Sequence, residues 1–439
     1  MNTLIPEPPV LPEKTEAKPI VIYGGALYDG KGTIYEDGAV FISKGEVVTA
    51  GTEESVFAQI SKTVDIEVYD TLGCVIFPGL INLHHHFSRS FALGLPFYNP
   101  NNENSSQLEN FWWKYDQYLD DDMVQLATLV SILNSIKTGV TTVFDLHSSP
   151  LAISNIMENI ASVVTRSGIQ AVLAYEISER NGDDIFIRSL EENRNFIRSS
   201  SLDSRVRGMF GIHSTGQLSD RTLTLIAEAA GDTSGFHIET RDENNLKRLA
   251  SFGLLNSKSL VSGVFPLDNG DLTTLRESGA TFVQVPGIQN NDTAQLFSGI
   301  KLGIGTSGTG GGILQALNIE FNRYCNPETD FSKLTEYIAP LLRGNAEFAG
   351  RYFNGKSGII ETGSIADIVV FDYIPATPIT SENYLQHLLW GMQYTPVKMV
   401  MTGGQFIYNN YTFLTLDEEI ILDESQKAAT RLHEKFGKL

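Results

Sequence analysis

Two cysteines in 439 residues, Cys74 and Cys325, are too few for a disulfide framework and too far apart in sequence for a CxxC metal or redox pair. A chain of this kind is expected to rely on its apolar core, and the reducing cytosol (a cytoplasmic location) is its natural setting. Basic residues are scarce as well: 32 Lys and Arg stand against 52 Asp and Glu, for a net charge of -20. Such a surface repels phosphate backbones and anionic lipid, which argues against nucleic acid and membrane partners. No uncharged apolar run approaches the roughly 20 residues that a membrane-spanning helix needs. Residues 1–18 lack the basic and then apolar pattern of a secretion signal; they carry prolines with Glu7, Glu13 and Glu16, and are expected to form a loose solvated arm.

What is present fits a large soluble enzyme. The chain is 42% apolar and 19% charged, ordinary for a globular protein, and is long enough for a barrel of about 250 residues plus a small accessory domain. From Ile20 to Ile76 short alternating runs are broken by glycine, as in PIVIYGG and GAVFISKGEVVTAG, which suits antiparallel strands and tight turns. The same style returns in GSIADIVVFDY and VKMVMTGGQFIYNN, where Gly403 and Gly404 signal a hairpin. The two stretches, 19–77 and 357–415, are expected to pair into a small β-sandwich domain, with residues 416–439 as a C-terminal helix.

Between them, over 78–356, strand and helix alternate. Eight strands stand out: INLHHHF, TTVFDLH, QAVLAYEI, VRGMFGIH, GFHIET, SLVSGV, TFVQVP and KLGIGTS. Met123, Leu126, Ala127, Val130 and Leu133 recur at spacings of three and four, so one helix face is predicted to cover the sheet. Eight strands in this order predict a distorted (β/α)8 TIM barrel, whose chemistry belongs at the C-terminal strand ends.

The histidines gather at those ends. Six of the eight (His84, His85, His86, His147, His213 and His237) lie in or at the end of a predicted strand. His84 and His86 are two apart, so on a strand both imidazoles share a face and can grip one metal ion, while His85 points the other way. Glu239 follows His237 by two and faces the interior with it. Glu176 and Arg180 form an i, i+4 pair that either braces the loop or meets a ligand. Trp112 and Trp113 are adjacent on a predicted helix and cannot both face one way, so one should pack while the other caps the pocket. The run GTSGTGGG lacks the GK[ST] ending of a phosphate loop and reads as flexible loop.

PGLINLHHHF and GKSGIIETGSIADIVVFD resemble the opening PGxxNxHxH and closing GxxExGxxADxVxxD segments of the amidohydrolase superfamily. LENFWWKYD, SIKTGVTTVFDLHSSP and YEISERNG are most similar to its SsnA-type aminohydrolases and their chlorohydrolase-like relatives. The resemblance covers nearly the whole chain. It implies a divalent metal, zinc first, and hydrolysis of carbon-nitrogen or carbon-halogen bonds in small cyclic compounds. It also implies a homodimer. Family members hold the metal with the HxH, a strand-five histidine and a strand-eight aspartate, and move protons with a strand-five glutamate and a strand-six histidine. Here Glu239 stands at the ligand histidine, Asp242 at the glutamate, Gly263 at the strand-six histidine and Ser307 at the aspartate. His84, His86 and Glu239 then form a His2Glu set, a catalytic zinc arrangement with an open fourth position. Asp242, His213 or His147 would serve as base, with His237, Glu176, Arg180, Trp113 and Ser307 lining a substrate pocket. Two main readings stay open, a hydrolase with a rebuilt metal site and a barrel without metal or turnover that binds a small-molecule ligand or acts as a partner subunit; a metal-free acid-base enzyme built on the same histidines is a weaker third, since no strong nucleophile arrangement is visible.

Overall fold

The structure, a computed structural model, describes all residues except 1–16, 62–64, 96–104, 201–204, 214, 232–233, 241–244, 264–266, 287–298, 309–311, 326–330, 354–355 and 438–439. The arm over 1–18, Asp242 and part of the glycine run therefore lie largely or wholly outside the described residues.

Both chain ends build one nine-stranded mixed sheet. Its order is Thr412–Phe413, Gln405–Asn409, Val397–Thr402, Ile368–Phe371, Val75–Pro78, Ile20–Tyr28, Ile34–Ser43 and Glu46–Thr52, with Glu67–Asp70 added in parallel to Ile20–Tyr28. The halves join where Ile368–Phe371 runs antiparallel to Val75–Pro78. Alternation puts Ile20, Ile22, Val40, Ile368, Val370 and Met401 into one shared apolar cluster. At the Gly403-Gly404 hairpin both glycines take positive φ, which a tight turn demands and a side chain would strain.

The second sheet holds eight parallel strands in sequence order: Leu80–His85, Val140–His147, Gln170–Ile177, Val206–His213, Phe236–Thr240, Leu260–Gly263, Thr281–Gln284 and Lys301–Ile304. Each expected strand is present, and all eight curl into a nearly closed barrel. Strands eight and one are stitched together by a side chain. Asn345, from the helix Phe331–Ala349, donates to Ile81 O (2.6 Å) and Ile304 O (2.9 Å) and accepts from Ile304 N (2.8 Å). Just above, Thr306 N and Ser307 N donate to His84 O at 3.0 and 2.9 Å.

Ile81, Phe144, Val172, Met209 and Val283 fill the barrel with Phe348 and Phe353. The Tyr352 hydroxyl donates to Lys258 O, ahead of strand six, so this plug closes the N-terminal mouth. Chemistry is left to the C-terminal mouth. The helix Asp121–Lys137, capped by Asp120 accepting from Met123 N at 2.9 Å, buries Met123, Leu126, Ala127 and Leu133 as its periodicity predicts. Among the described residues no helix is long and apolar enough to cross a membrane.

Candidate active site

Strand one ends in the three histidines, and their directions follow the pleat. His85 faces outward, contacting Ser131 Oγ (2.6 Å) on the covering helix and Thr306 Oγ1 (3.0 Å). His84 and His86 face the mouth with ring centroids 4.9 Å apart, edge to face. The turn that carries His86 out of the strand is held by Asp145, whose carboxylate accepts from Phe87 N at 2.6 Å. Burial pushes the Asp145 carboxyl up to about 7.

The protonation of His86 can be assigned from its partners. Its Nδ1 lies 2.5 Å from the Leu146 carbonyl, which can only accept. Burial lowers the imidazole to about 3, so the ring is neutral with its single proton on Nδ1. Nε2 therefore carries a lone pair, and it faces Glu239 Oε2 at 3.0 Å. Burial opposes ionisation of Glu239, but the imidazoles of His213 and then His86 outweigh it and hold the carboxyl well below its usual range. His86 Nε2 and a carboxylate oxygen of Glu239 thus meet in the buried interior, where a bound cation could be held between them. His84 Nε2 is 3.6 Å from the same oxygen, and the donor atoms of His84, His86 and Glu239 all lie within 4.8 Å of one another. The donor set fits a divalent metal of the zinc type.

The neighbours hold this trio in place. His84 Nδ1 shares a hydrogen bond with His237 Nε2 (2.8 Å), and Ser262 Oγ lies 3.2 Å away. Burial keeps both His84 and His237 well below the usual imidazole range. His213 brings Nε2 to 3.4 Å from Glu239 Oε2 and Nδ1 to 3.9 Å from Glu176 Oε1. The centre opens on a cleft lined by His86, Ser88, Arg89, Trp112, Trp113, Asp116, Leu146, Ser148, Glu176 and His213.

On one wall Arg180 Nη2 donates to Asp116 (2.7 Å), Glu176 (2.8 Å) and Ser148 (3.0 Å) while its guanidinium lies 5.1 Å from the Trp113 ring centre. Burial raises Asp116 to about 6 against the pull of the nearby Arg180. Burial would also raise Glu176, but Arg180 outweighs it and keeps that carboxyl below its usual value. One oxygen of Glu176, Oε1, is buried without a hydrogen-bond partner.

The structure therefore gathers His84, His86, Glu239, His213, Glu176 and Trp113 around one mouth. His237 and Arg180 stand behind them as supports. His147 is not brought to the cavity: its Nε2 bonds Ser149 Oγ at 2.8 Å and its ring packs beside Tyr175. Asp242 is outside the described residues. Ser307 does not line the cavity; its hydroxyl accepts from Arg89 Nη1 at 2.6 Å, and its backbone takes φ 54°. Trp112 packs into the core and also reaches the cavity, so both tryptophans contribute. Sequence reasoning passed over Arg89 and Asp116. The signal for Arg89 was a lone charge in the apolar stretch FSRSFALGL, directly after the histidines. Asp116 closes the LENFWWKYD segment.

A cation-ready His2Glu trio at the C-terminal mouth of a parallel eight-stranded barrel defines this chain as a barrel protein with a candidate metal centre. A model of the amidohydrolase family matches residues 75–407, and the chain belongs to that family. It is 24% identical over 421 residues to the 5'-deoxyadenosine deaminase of Methanosarcina mazei, covering 90% of this chain and 93% of the relative. It is 25% identical to the 5-methylthioadenosine/S-adenosylhomocysteine deaminase of Pelotomaculum thermopropionicum, over 94% of this chain and 98% of that one. Among solved structures, an adenosine deaminase from Xanthomonas campestris with bound zinc superposes with a TM-score of 0.80 at 17% identity, over 94% of this chain and 98% of that one. The zinc complex of atrazine chlorohydrolase TrzN from Arthrobacter aurescens gives 0.77 at 18% identity, over 93% and 100%. At such identities the structural likeness speaks for the fold.

Proposed function

We propose that this chain is a metal-dependent hydrolase that cleaves a carbon-nitrogen bond in a small nitrogen heterocycle, with His84, His86 and Glu239 as the metal ligands. The observation that carries the reading is the convergence of His86 Nε2 and His84 Nε2 on Glu239 Oε2, at 3.0 and 3.6 Å, with the donor atoms of all three residues within 4.8 Å of one another. A bound zinc would supply Lewis acidity and lower the pKa of a water toward neutrality. The likeness to deaminases over nine-tenths of the chain supports a purine-like substrate.

The residues of the chain would divide the remaining work. His213, beside Glu239 and open to the cavity, is placed to take a proton from the attacking water and return it to the leaving nitrogen. Ser307 is not available as a base, because its hydroxyl is held by Arg89 and a hydroxyl is a poor base near neutral pH. Asp242 is kept as a second candidate for the proton step. Arg180 fixes Glu176 and Asp116 so that carboxylate oxygens face a ligand's N-H groups, and Trp112 and Trp113 offer apolar ring faces.

The test combines elemental analysis with ammonia release from a panel of aminopurine nucleosides, on the natural chain and on Glu239→Gln. About one zinc per chain, ammonia release, and loss of both in Glu239→Gln are expected. Retained metal in Glu239→Gln would remove Glu239 from the ligand set. Tight nucleoside binding without ammonia release would move the chain to the non-catalytic, ligand-binding reading.

A further inference from the structure

Glu239 Oε2 has a fourth nitrogen neighbour besides the three imidazoles, and that neighbour carries a fixed charge. Arg89 Nη2 lies 3.9 Å from this oxygen, and the residue is only 8% exposed. The group is held by several independent contacts. Nη1 donates to Ser307 Oγ at 2.6 Å and to Ser307 O at 3.2 Å, and the guanidinium carbon sits 4.3 Å from the centre of the Trp112 ring. Ser307 itself is pinned by its amide to His84 O, so the anchor of the guanidinium and the backbone of a proposed metal ligand are one unit.

A guanidinium stays charged at any pH a protein survives. Buried 3.9 Å from the Glu239 carboxylate, it neutralises part of the charge that would otherwise attract a dication. We propose that Arg89 is a built-in cation that shares Glu239 with the divalent metal and thereby sets how tightly the centre holds it. The proposal rests on the metal-centre reading above and adds what that reading does not contain: a weakened, exchangeable site whose affinity is set by a residue that is not a ligand. Charge supplies the mechanism. Removing the guanidinium takes one fixed positive charge away from Glu239 and from the place where a dication would bind, while the imidazoles stay in position.

The experiment is a zinc titration, competed against a chromophoric chelator, together with the visible absorption of the cobalt-substituted protein. The full-length natural chain is compared with Arg89→Gln, Arg89→Met, Arg89→Lys and Glu239→Gln. Arg89→Gln and Arg89→Met should bind zinc tighter by about tenfold or more, because repulsion between a guanidinium and a dication a few ångströms apart exceeds what that factor requires. Arg89→Lys keeps the charge and should stay within about threefold of the natural chain, which separates charge from packing. Equal or weaker binding in both neutral variants, with Glu239→Gln still abolishing binding, overturns the role of Arg89 and leaves the metal centre standing. No zinc binding by any of the folded proteins overturns both. Two neutral replacements of different shape guard against one of them misfolding.

Discussion

Replacing Asn345 by Leu should open the barrel at its seam. In the native chain the Asn345 amide serves three backbone groups, Ile81 O, Ile304 O and Ile304 N, none of which has another strand to pair with at that point. Leucine matches the side-chain volume and satisfies none of them. A buried backbone group left without a partner costs about 1–3 kcal/mol, so three cost roughly 3–9 kcal/mol, with the lower half expected where water enters the gap. That is a large share of the roughly 5–15 kcal/mol that holds a folded protein together. Urea unfolding followed by tryptophan fluorescence reads the change as a lower midpoint at unchanged slope. Because strand one carries His84 and leads into His86, zinc affinity should fall with it. A loss below about 1 kcal/mol would refute the reasoning, since it would mean that the two edge strands find other partners.

Acid should destabilise the metal-free protein. His85, His86 and His147 are held at about 3 by burial, against about 6.5 in the unfolded chain. Between those values the unfolded state binds more protons, so their contribution is complete above about 6.5 and is lost as pH falls toward about 3; from about pH 7 to about pH 5 each histidine costs about 2 kcal/mol. Chelator-treated protein should therefore show a steep drop in unfolding temperature across that window, and a flat profile would contradict the neutral, buried imidazoles. Gly305→Ala is expected to damage the centre through the backbone. A Cβ there would stand 2.7 Å from His84 N and 2.8 Å from His84 O, atoms that cannot swing aside. Loss of about 1–3 kcal/mol of stability is expected, together with reduced zinc content by elemental analysis, and a natural-like variant would show that the strand-eight turn has slack.

Much of the fold was legible because periodicity is a local property. The eight runs from INLHHHF to KLGIGTS each became a strand at their expected place, and the helix with Met123, Leu126 and Leu133 buried the face its spacing required. The two-residue spacing of His84 and His86 placed both rings on one side, and that of His237 and Glu239 did the same on strand five. His147 shows where this reasoning fails: a strand end in a barrel can still turn its side chain into a neighbouring loop, and Ser149 and Tyr175 took this one.

From the order of residues alone came the barrel, the sheet shared by both chain ends and the histidine pair, since each depends on alternation or spacing within a few residues. Only the closed structure decided what those histidines face. Arg89 meets Ser307 across 218 residues, and His84 meets His237 across 153. Contacts at that separation are made by the curvature of the sheet and the closing of its seam. They fix which atoms share a buried volume, and in a medium that cannot screen them, that sharing sets which nitrogen keeps a lone pair and which charge stands beside Glu239.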